Sequence, residues 1–311
     1  QAYIAEMAPC ESRGMWQGRV AAIGFCAVPV VALVCRMVIP MSEEAWRWIF
    51  YAGGLGIIPF VLGLKYLKES PRWLVAHGRI REAEEVVTYL TGKDIDLSEA
   101  AKSVQPKIAV TDVLIGMFTR KYIGRTLLLM LLFICITPAG FLLTTWTTQL
   151  LKMLGFSVKE SLTAMTIISI GVPVGCFLNS LVSDMGGRKM PLAILGVLAA
   201  VTALIFGGMK GLVMLTLLGF TVTVFNMALN FTLFSYTAES YPTRMRNTAT
   251  GFHNGLARLS VSASQPLIPM IHASFGFAGI FTSVAFLFFL PVIPLLIWGA
   301  RTGGKSLEDI E

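Results

Sequence analysis

Charged residues are scarce in this chain of 311 residues: they make up 14% of the sequence, whereas apolar residues make up 55% and the mean hydropathy is +0.71. Soluble globular domains carry about 25% charged residues, and nucleic-acid-binding domains expose clustered cations to water. The composition therefore excludes both classes. It indicates a protein that lies mostly in a lipid bilayer, so the formal net charge of +7 must reflect membrane orientation.

Cysteine is also scarce, and its spacing resembles no metal site or disulfide framework. The cysteines, which we expect to be small apolar side chains in packed helices, are Cys10, Cys26, Cys35, Cys135 and Cys176. The sequence shows no cluster of metal ligands and no nucleophile paired with a base. We therefore expect neither an enzyme nor a bound cofactor or metal.

The sequence does contain a repeated motif, and each copy stands directly before a long apolar run. The two copies, which share residue order and spacing, are Tyr3, Ala5, Glu6, Pro9, Arg13 and Tyr236, Ala238, Glu239, Pro242, Arg246. Such self-similarity indicates a membrane protein built from duplicated halves.

Eight apolar runs are each near the ~20 residues that a helix needs to cross the hydrocarbon core. They cover about 15–38, 45–67, 125–151, 162–183, 191–209, 212–237, 248–272 and 277–300. Two runs follow each copy of the motif, and four lie between the polar central region and the second copy. If the halves match, four further spans precede the fifth helix, where this chain begins. We therefore expect an all-α helical bundle with eight of an inferred twelve transmembrane helices.

The distribution of basic residues predicts the orientation. If the repeated motif is cytoplasmic, the basic residues outside are only Arg36, Arg47, Lys152, Lys159 and Lys210. Most of the others then fall inside, as the positive-inside rule requires. We expect a multi-pass protein of the plasma (inner) membrane in three parts: residues 1–67 as a remnant of the N-terminal half, 68–121 as a cytoplasmic linker, and 122–311 as a six-helix C-terminal half.

The polar linker carries its own helix signals. Ser70 and Pro71 are an N-cap followed by proline at the first helical position, and Gly92 is placed to end a helix over about 79–90. Residues 94–104 form a second, weaker helical pattern. The region is too short for a separate catalytic domain.

Three motifs carry a resemblance to a known family. Glu69–Leu74 resembles a signature of the sugar-porter-like branch of the major facilitator superfamily, with Lys68 where proline is usual. Asp184–Lys189 is similar to that superfamily's loop between the second and third helices of each half, with Ser180 where glycine is usual. Glu239–Arg246 is similar to its motif after the tenth helix.

The seventh inferred helix refines this resemblance. Its segment Thr144–Leu151 lacks the paired glutamines typical of sugar porters and, with Trp146, is similar to aromatic-acid, nicotinate and organic-ion carriers, although threonine stands where proline is usual. The resemblance implies a major-facilitator-type bundle that acts as a monomer. It also implies alternating access of a small-molecule substrate through the lipid bilayer, coupled to protons.

Charged residues at the cytoplasmic span ends are predicted to form an inner gate. They are Glu6, Arg13, Asp184, Arg188, Glu239 and Arg246. Their carboxylates and guanidinium groups would pair in one state and separate in another. The same Glu-to-Arg spacing in both halves favours this function over simple anchoring of loops at the membrane surface.

The substrate site is predicted from polar groups at membrane depth. Arg258 lies near the midplane, where a cation costs about 2.5–3.5 kcal/mol, and its guanidinium fork matches a carboxylate. A structural cation paired within the protein is the alternative interpretation. The residues predicted to bind substrate are Arg258, Asn254, Asn226, Asn230, Phe141, Thr144 and Trp146. His253 faces another side of its helix, and we expect it to bond between helices.

The leading functional hypothesis is a carrier of a small organic anion, an aromatic or heterocyclic carboxylate. A sugar or polyol porter is the alternative: Glu69–Leu74 and the asparagines of the tenth helix support it, whereas Arg258 and the missing glutamine pair oppose it. A transporter-like nutrient sensor is less favoured, because it would need a long cytoplasmic tail. No acidic residue lies within the predicted spans. A proton-coupling carboxylate is therefore expected in the helices upstream.

Overall fold

The computed structural model describes residues 20–76, 78–92, 95–98, 109–182 and 188–300. Every regular element in these residues is helical, so the predicted all-α class is confirmed. The α-helices are α1 Ala27–Val38, α2 Trp46–Gly54, α3 Ile57–Tyr66, α4 Pro71–Ala76, α5 Ile80–Thr91, α6 Val110–Met117, α7 Ile123–Thr145, α8 Thr147–Met153, α9 Val158–Val182, α10 Lys189–Gly208, α11 Leu212–Glu239, α12 Thr243–Ser264, α13 Leu267–Phe289 and α14 Val292–Trp298.

Helices that cross a bilayer must satisfy their backbone hydrogen bonds internally and must be apolar over about 20 residues. Seven stretches of the described chain meet the length and hydropathy requirements: Val20–Met41, Trp46–Tyr66, Ile123–Thr145, Val158–Leu181, Lys189–Gly208, Leu212–Glu239 and Leu267–Trp298. The predicted span at 248–272 is not among them, because it falls on the polar helix α12 and on the start of α13.

The predicted boundary between the last two spans coincides with a backbone break. Gly276 has φ 64° and ψ −163° inside α13, a conformation that is essentially restricted to glycine. The chain therefore changes direction at Gly276. The first part of α13 continues the run begun by α12, and the second part continues into α14.

The bundle is held together by close helix crossings at small residues. α9 packs against α11, where a Cβ added at Gly175 would lie 2.5 Å from the carbonyl oxygen of Val224. α10 packs between α11 and α13, and the rings of Phe206 and Phe281 meet there with centroids 4.4 Å apart. Such close backbone approach increases van der Waals contact, which drives helix association in lipid.

Three helices position the predicted substrate residues. α7 packs mainly against α12, and both contact α11. Thr126 of α7 shares a hydrogen bond of 2.8 Å with the hydroxyl of Tyr241, which precedes α12. These contacts determine which faces of α7, α11 and α12 are packed together and which remain partly exposed.

The helices before the linker lie at the periphery of the described chain. α1 packs against α9, and Phe25 meets Phe231 of α11 edge to face at 5.7 Å. No residue of α2 or α3 is buried.

The first linker helix begins and the second ends at the residues that the sequence predicts. α4 begins at Pro71, the carbonyl of Ser70 accepts the backbone N–H of Leu74 at 2.9 Å, and Gly92 ends α5 with φ 68°. Both helix predictions are confirmed here, whereas most of the predicted helix at 94–104 lies outside the described residues. On the exposed side of α5, a hydrogen bond from Arg79 lowers the pKa of the Glu82 carboxyl.

Candidate functional site

An ion pair joins two helix ends on the predicted cytoplasmic side. Arg188 precedes α10 and Glu239 ends α11; the guanidinium Nε lies 2.9 Å from the carboxylate Oε1, and the two side chains are 19% and 24% exposed. Both helices belong to the same bundle and pack against each other. The pair therefore braces one bundle internally rather than bridging two bundles.

Of the other predicted gate residues, the structure describes Arg246. Arg246 lies in the first turn of α12, beside the end of α11 in sequence. Glu6, Arg13 and Asp184 lie outside the described residues. Their predicted roles therefore stay predictions.

Two further contacts at this end were not expected from the sequence. Lys189 donates from Nζ to the carbonyl of Gly299 at 2.8 Å, and the hydroxyl of Tyr236 donates to the carbonyl of Ala300 at 3.3 Å. Both donors belong to the motifs singled out above, but their acceptors are backbone groups, which leave no signal in a sequence. Together with the ion pair, they join the ends of α10, α11 and α14.

The asparagines of α11 mainly bond each other. The side chain of Asn230 donates to the backbone and side-chain oxygens of Asn226 at 2.8 and 2.9 Å. Asn226 is 1% exposed, and its amide fills the space where a side chain at Gly140 of α7 would stand. The amide of Asn226 therefore supports the α7–α11 crossing, whereas Asn230 is partly accessible. The predicted substrate-binding roles of both asparagines stay predictions.

Arg258 lies on an uncovered polar face of α12. This face, which recurs every three or four residues, comprises the exposed residues Asn247, Gly251, Gly255, Arg258 and Ser262. Arg258 stands fifteen residues after Thr243, about 22 Å along the helix axis. Within the described part of the chain, no hydrogen bond or ion pair engages its guanidinium or the amide of the half-buried Asn254.

The outer end of α7 carries the remaining predicted site residues. Phe141, Thr144 and Trp146 are each partly exposed, and the Thr144 hydroxyl donates to the carbonyl of Phe141 at 3.0 Å. The indole Nε1 of Trp146 donates to Oε1 of Gln265 at 2.7 Å. Helical spacing alone places Gln265 on the face of Arg258. Its contact with Trp146 joins residues far apart in the chain, so periodicity could not reveal it.

His253 bonds between helices, as predicted. It is fully buried; its Nδ1 lies 2.8 Å from the carbonyl oxygen of Ala249, and its Nε2 lies 3.4 Å from that of Thr126 in α7. The rings of Phe133, Phe252 and Tyr241 surround it. These contacts tie α12 to α7.

The seven apolar stretches that are long enough to cross a bilayer define a multi-pass membrane protein. The chain matches the family model described as "Sugar (and other) transporter" over residues 1–311, and it belongs to that family. Members of this family are membrane transporters, which are not enzymes. The protein is an integral protein of the plasma (inner) membrane.

Relatives and solved structures agree with this assignment. YyaJ of Bacillus subtilis is 28% identical over 98% of this chain and 68% of its own length. The niacin transporter NiaP of Acinetobacter baylyi is 27% identical over 99% of this chain and 70% of its own length. The inward-open structure of the xylose transporter XylE from E. coli shares the fold with a TM-score of 0.73 and 19% identity, covering 99% of this chain and 67% of that one.

Proposed function

We propose that the protein is a secondary active transporter of a small organic anion, an aromatic or heterocyclic carboxylate, that works by alternating access and couples to protons. The observation that carries this proposal is Arg258. Its guanidinium is exposed on the polar face of α12 and, among the described residues, has no bonding partner; we place it at membrane depth from its position fifteen residues along the helix.

The energetics favour an anionic ligand there. A cation near the bilayer centre costs about 2.5–3.5 kcal/mol on insertion scales and by default marks a transport pathway or ligand site. A carboxylate offsets this cost, because its two oxygens fit the guanidinium fork as a bidentate pair. NiaP, a relative whose name specifies niacin, a pyridine carboxylate, supports the same substrate class.

A sugar is the second candidate, and the amide pair on α11 favours it. Asn230 is partly exposed and could hydrogen-bond a hydroxyl group, and one relative is a facilitated trehalose transporter from Apis mellifera ligustica, 27% identical over 86% of this chain. Arg258 argues against this candidate, because a neutral sugar leaves the charge of the guanidinium uncompensated.

Proton coupling would depend on a carboxylate outside the described spans. Within those spans, carboxylates occur only near helix ends, at Glu160 and Glu239, and Glu239 pairs with Arg188. We infer that the inner ends of α10, α11 and α14 move as one unit during alternating access, because the contacts of Arg188, Lys189 and Tyr236 join them.

Competition for uptake distinguishes the two candidate substrates. In proteoliposomes that contain the complete protein and hold an inward proton gradient, we expect radiolabelled nicotinate or benzoate to accumulate. Unlabelled carboxylates should suppress this uptake, and hexoses should not. A protonophore should abolish the accumulation. Uptake of labelled hexose that the carboxylates fail to suppress would instead establish the sugar alternative.

A further inference from the structure

The indole of Trp146 is held by Gln265 at a point where two runs of helix are both interrupted. Trp146 stands between α7 and α8, and Gln265 stands between α12 and α13. The hydrogen bond from indole Nε1 to Gln265 Oε1 is 2.7 Å long and connects the two breaks. An indole has one N–H donor and no acceptor, so this bond uses its entire hydrogen-bonding capacity.

Gln265 is itself fixed by its own helix. Its backbone N–H donates to the carbonyl of Ser262, three residues back, at 3.4 Å, and its side-chain Nε2 donates to the carbonyl of Val261 at 3.1 Å. The side chain thus takes up a carbonyl that the end of α12 would otherwise leave free. A carbonyl only accepts and an indole N–H only donates, so the orientation of the Gln265 amide is determined.

This arrangement lies on the outer side of Arg258. Gln265 follows Arg258 by seven residues, which places it about 10 Å further along the helix and about 20° around its axis. Trp146 therefore stands beyond Arg258 on the same side of α12. On α7, the hydroxyl of Thr144 is already used, because it donates to the carbonyl of Phe141.

We propose that Gln265 is a positioning residue: by occupying the N–H of Trp146, it holds the indole as an apolar platform on which the ring of the transported anion stacks. This inference rests on the proposed function and refines the substrate class to carboxylates with a planar aromatic ring. The donor that could have bonded a sugar hydroxyl is withdrawn into the protein. Arg258 binds the carboxylate, and Trp146 selects the ring.

The test compares two ligands that differ in aromaticity. In the complete protein, Gln265→Leu removes the acceptor at similar side-chain size. We expect it to raise the KM for benzoate two- to tenfold, the range that an aromatic pair contributes, with the maximal rate retained. The KM for cyclohexanecarboxylate, a ring of similar size without π electrons, should change much less.

Matched variants separate positioning from a general packing defect. Trp146→Phe removes the same bond from the donor side and keeps a ring; in that background Gln265→Leu should have no further effect. Gln149→Leu, the same substitution at an exposed glutamine on α8, serves as the control and should leave both KM values unchanged. Equal KM changes for the two ligands, or additive effects of Trp146→Phe and Gln265→Leu, would overturn the inference.

A measurement without substrate keeps this inference separate from the proposed function. The indole N–H signal of Trp146, assigned in ¹⁵N-tryptophan-labelled protein by its loss in Trp146→Phe, should exchange with deuterium at least severalfold faster in Gln265→Leu than in the wild type. Unchanged exchange would refute the positioning role even if anion uptake is confirmed. If exchange is faster but the protein transports only hexoses, Gln265 does position Trp146, and the proposal of an aromatic substrate is refuted.

Discussion

Replacing Arg258 by methionine is expected to reduce uptake of the organic anion at least about 30-fold, because the bound anion would bury its charge pair with Arg258, and removing one partner of a buried charge pair costs about 2–5 kcal/mol. Methionine keeps a long flexible side chain but cannot bind a carboxylate. Arg258→Lys should give an intermediate loss, since it keeps the charge and loses the bidentate fork. Initial uptake rates of labelled nicotinate in proteoliposomes measure both effects.

The control for this substitution is Arg36→Met at the outer end of α1. It removes a cation of the same type outside the predicted site, so uptake should stay near the wild-type rate. Reconstituted protein must be quantified for each variant. Unchanged uptake in Arg258→Met would mean that Arg258 is a structural cation. A sugar would then replace the organic anion as the proposed substrate.

Charge reversal at Arg188 should slow uptake at least about tenfold while leaving the amount of membrane-inserted protein unchanged. The substitution leaves Glu239 facing a second carboxylate in a site where both side chains are about four-fifths covered. Breaking a buried pair in this way costs about 3–5 kcal/mol, and the residual solvent exposure places the expected effect below that range. The double variant Arg188→Glu with Glu239→Arg should recover part of the rate.

A more exposed ion pair of the same chain provides the comparison. Arg47 and Glu44 are 2.8 Å apart, with side chains 52% and 72% exposed. Exposed pairs contribute about 0–1 kcal/mol, so Arg47→Glu should change uptake less than about fivefold. If the two charge reversals have equal effects, or if Arg188→Glu transports normally, Arg188 and Glu239 only anchor loops at the membrane surface and do not form a gate.

The apolar runs were sufficient to predict most of the fold, because a helix in lipid must be continuous and apolar over a fixed length. The sequence also predicted Pro71 at a helix start and Gly92 at a helix end, since both residues act through local backbone geometry. The span near Arg258 has the weakest hydropathy signal, because the polar face of α12 interrupts the apolar run and α12 ends at Ser264.

The candidate site was only partly predictable. The sequence predicted Arg258 as part of a polar site, and the structure leaves its side chain exposed on α12. Helical spacing could not show that Asn226 is buried against Gly140, since that depends on how closely α7 and α11 approach. The Trp146–Gln265 bond likewise arises from tertiary packing between helices that are distant in the chain.

Equilibrium binding to the purified complete protein tests the central claim most directly. Titration of detergent-solubilised wild type with nicotinate or benzoate should give saturable binding that unlabelled carboxylates displace and hexoses do not. The same titration of Arg258→Met should show affinity reduced at least about 30-fold. Saturable binding of a hexose, together with carboxylate binding that is absent or unaffected by Arg258→Met, would contradict the account.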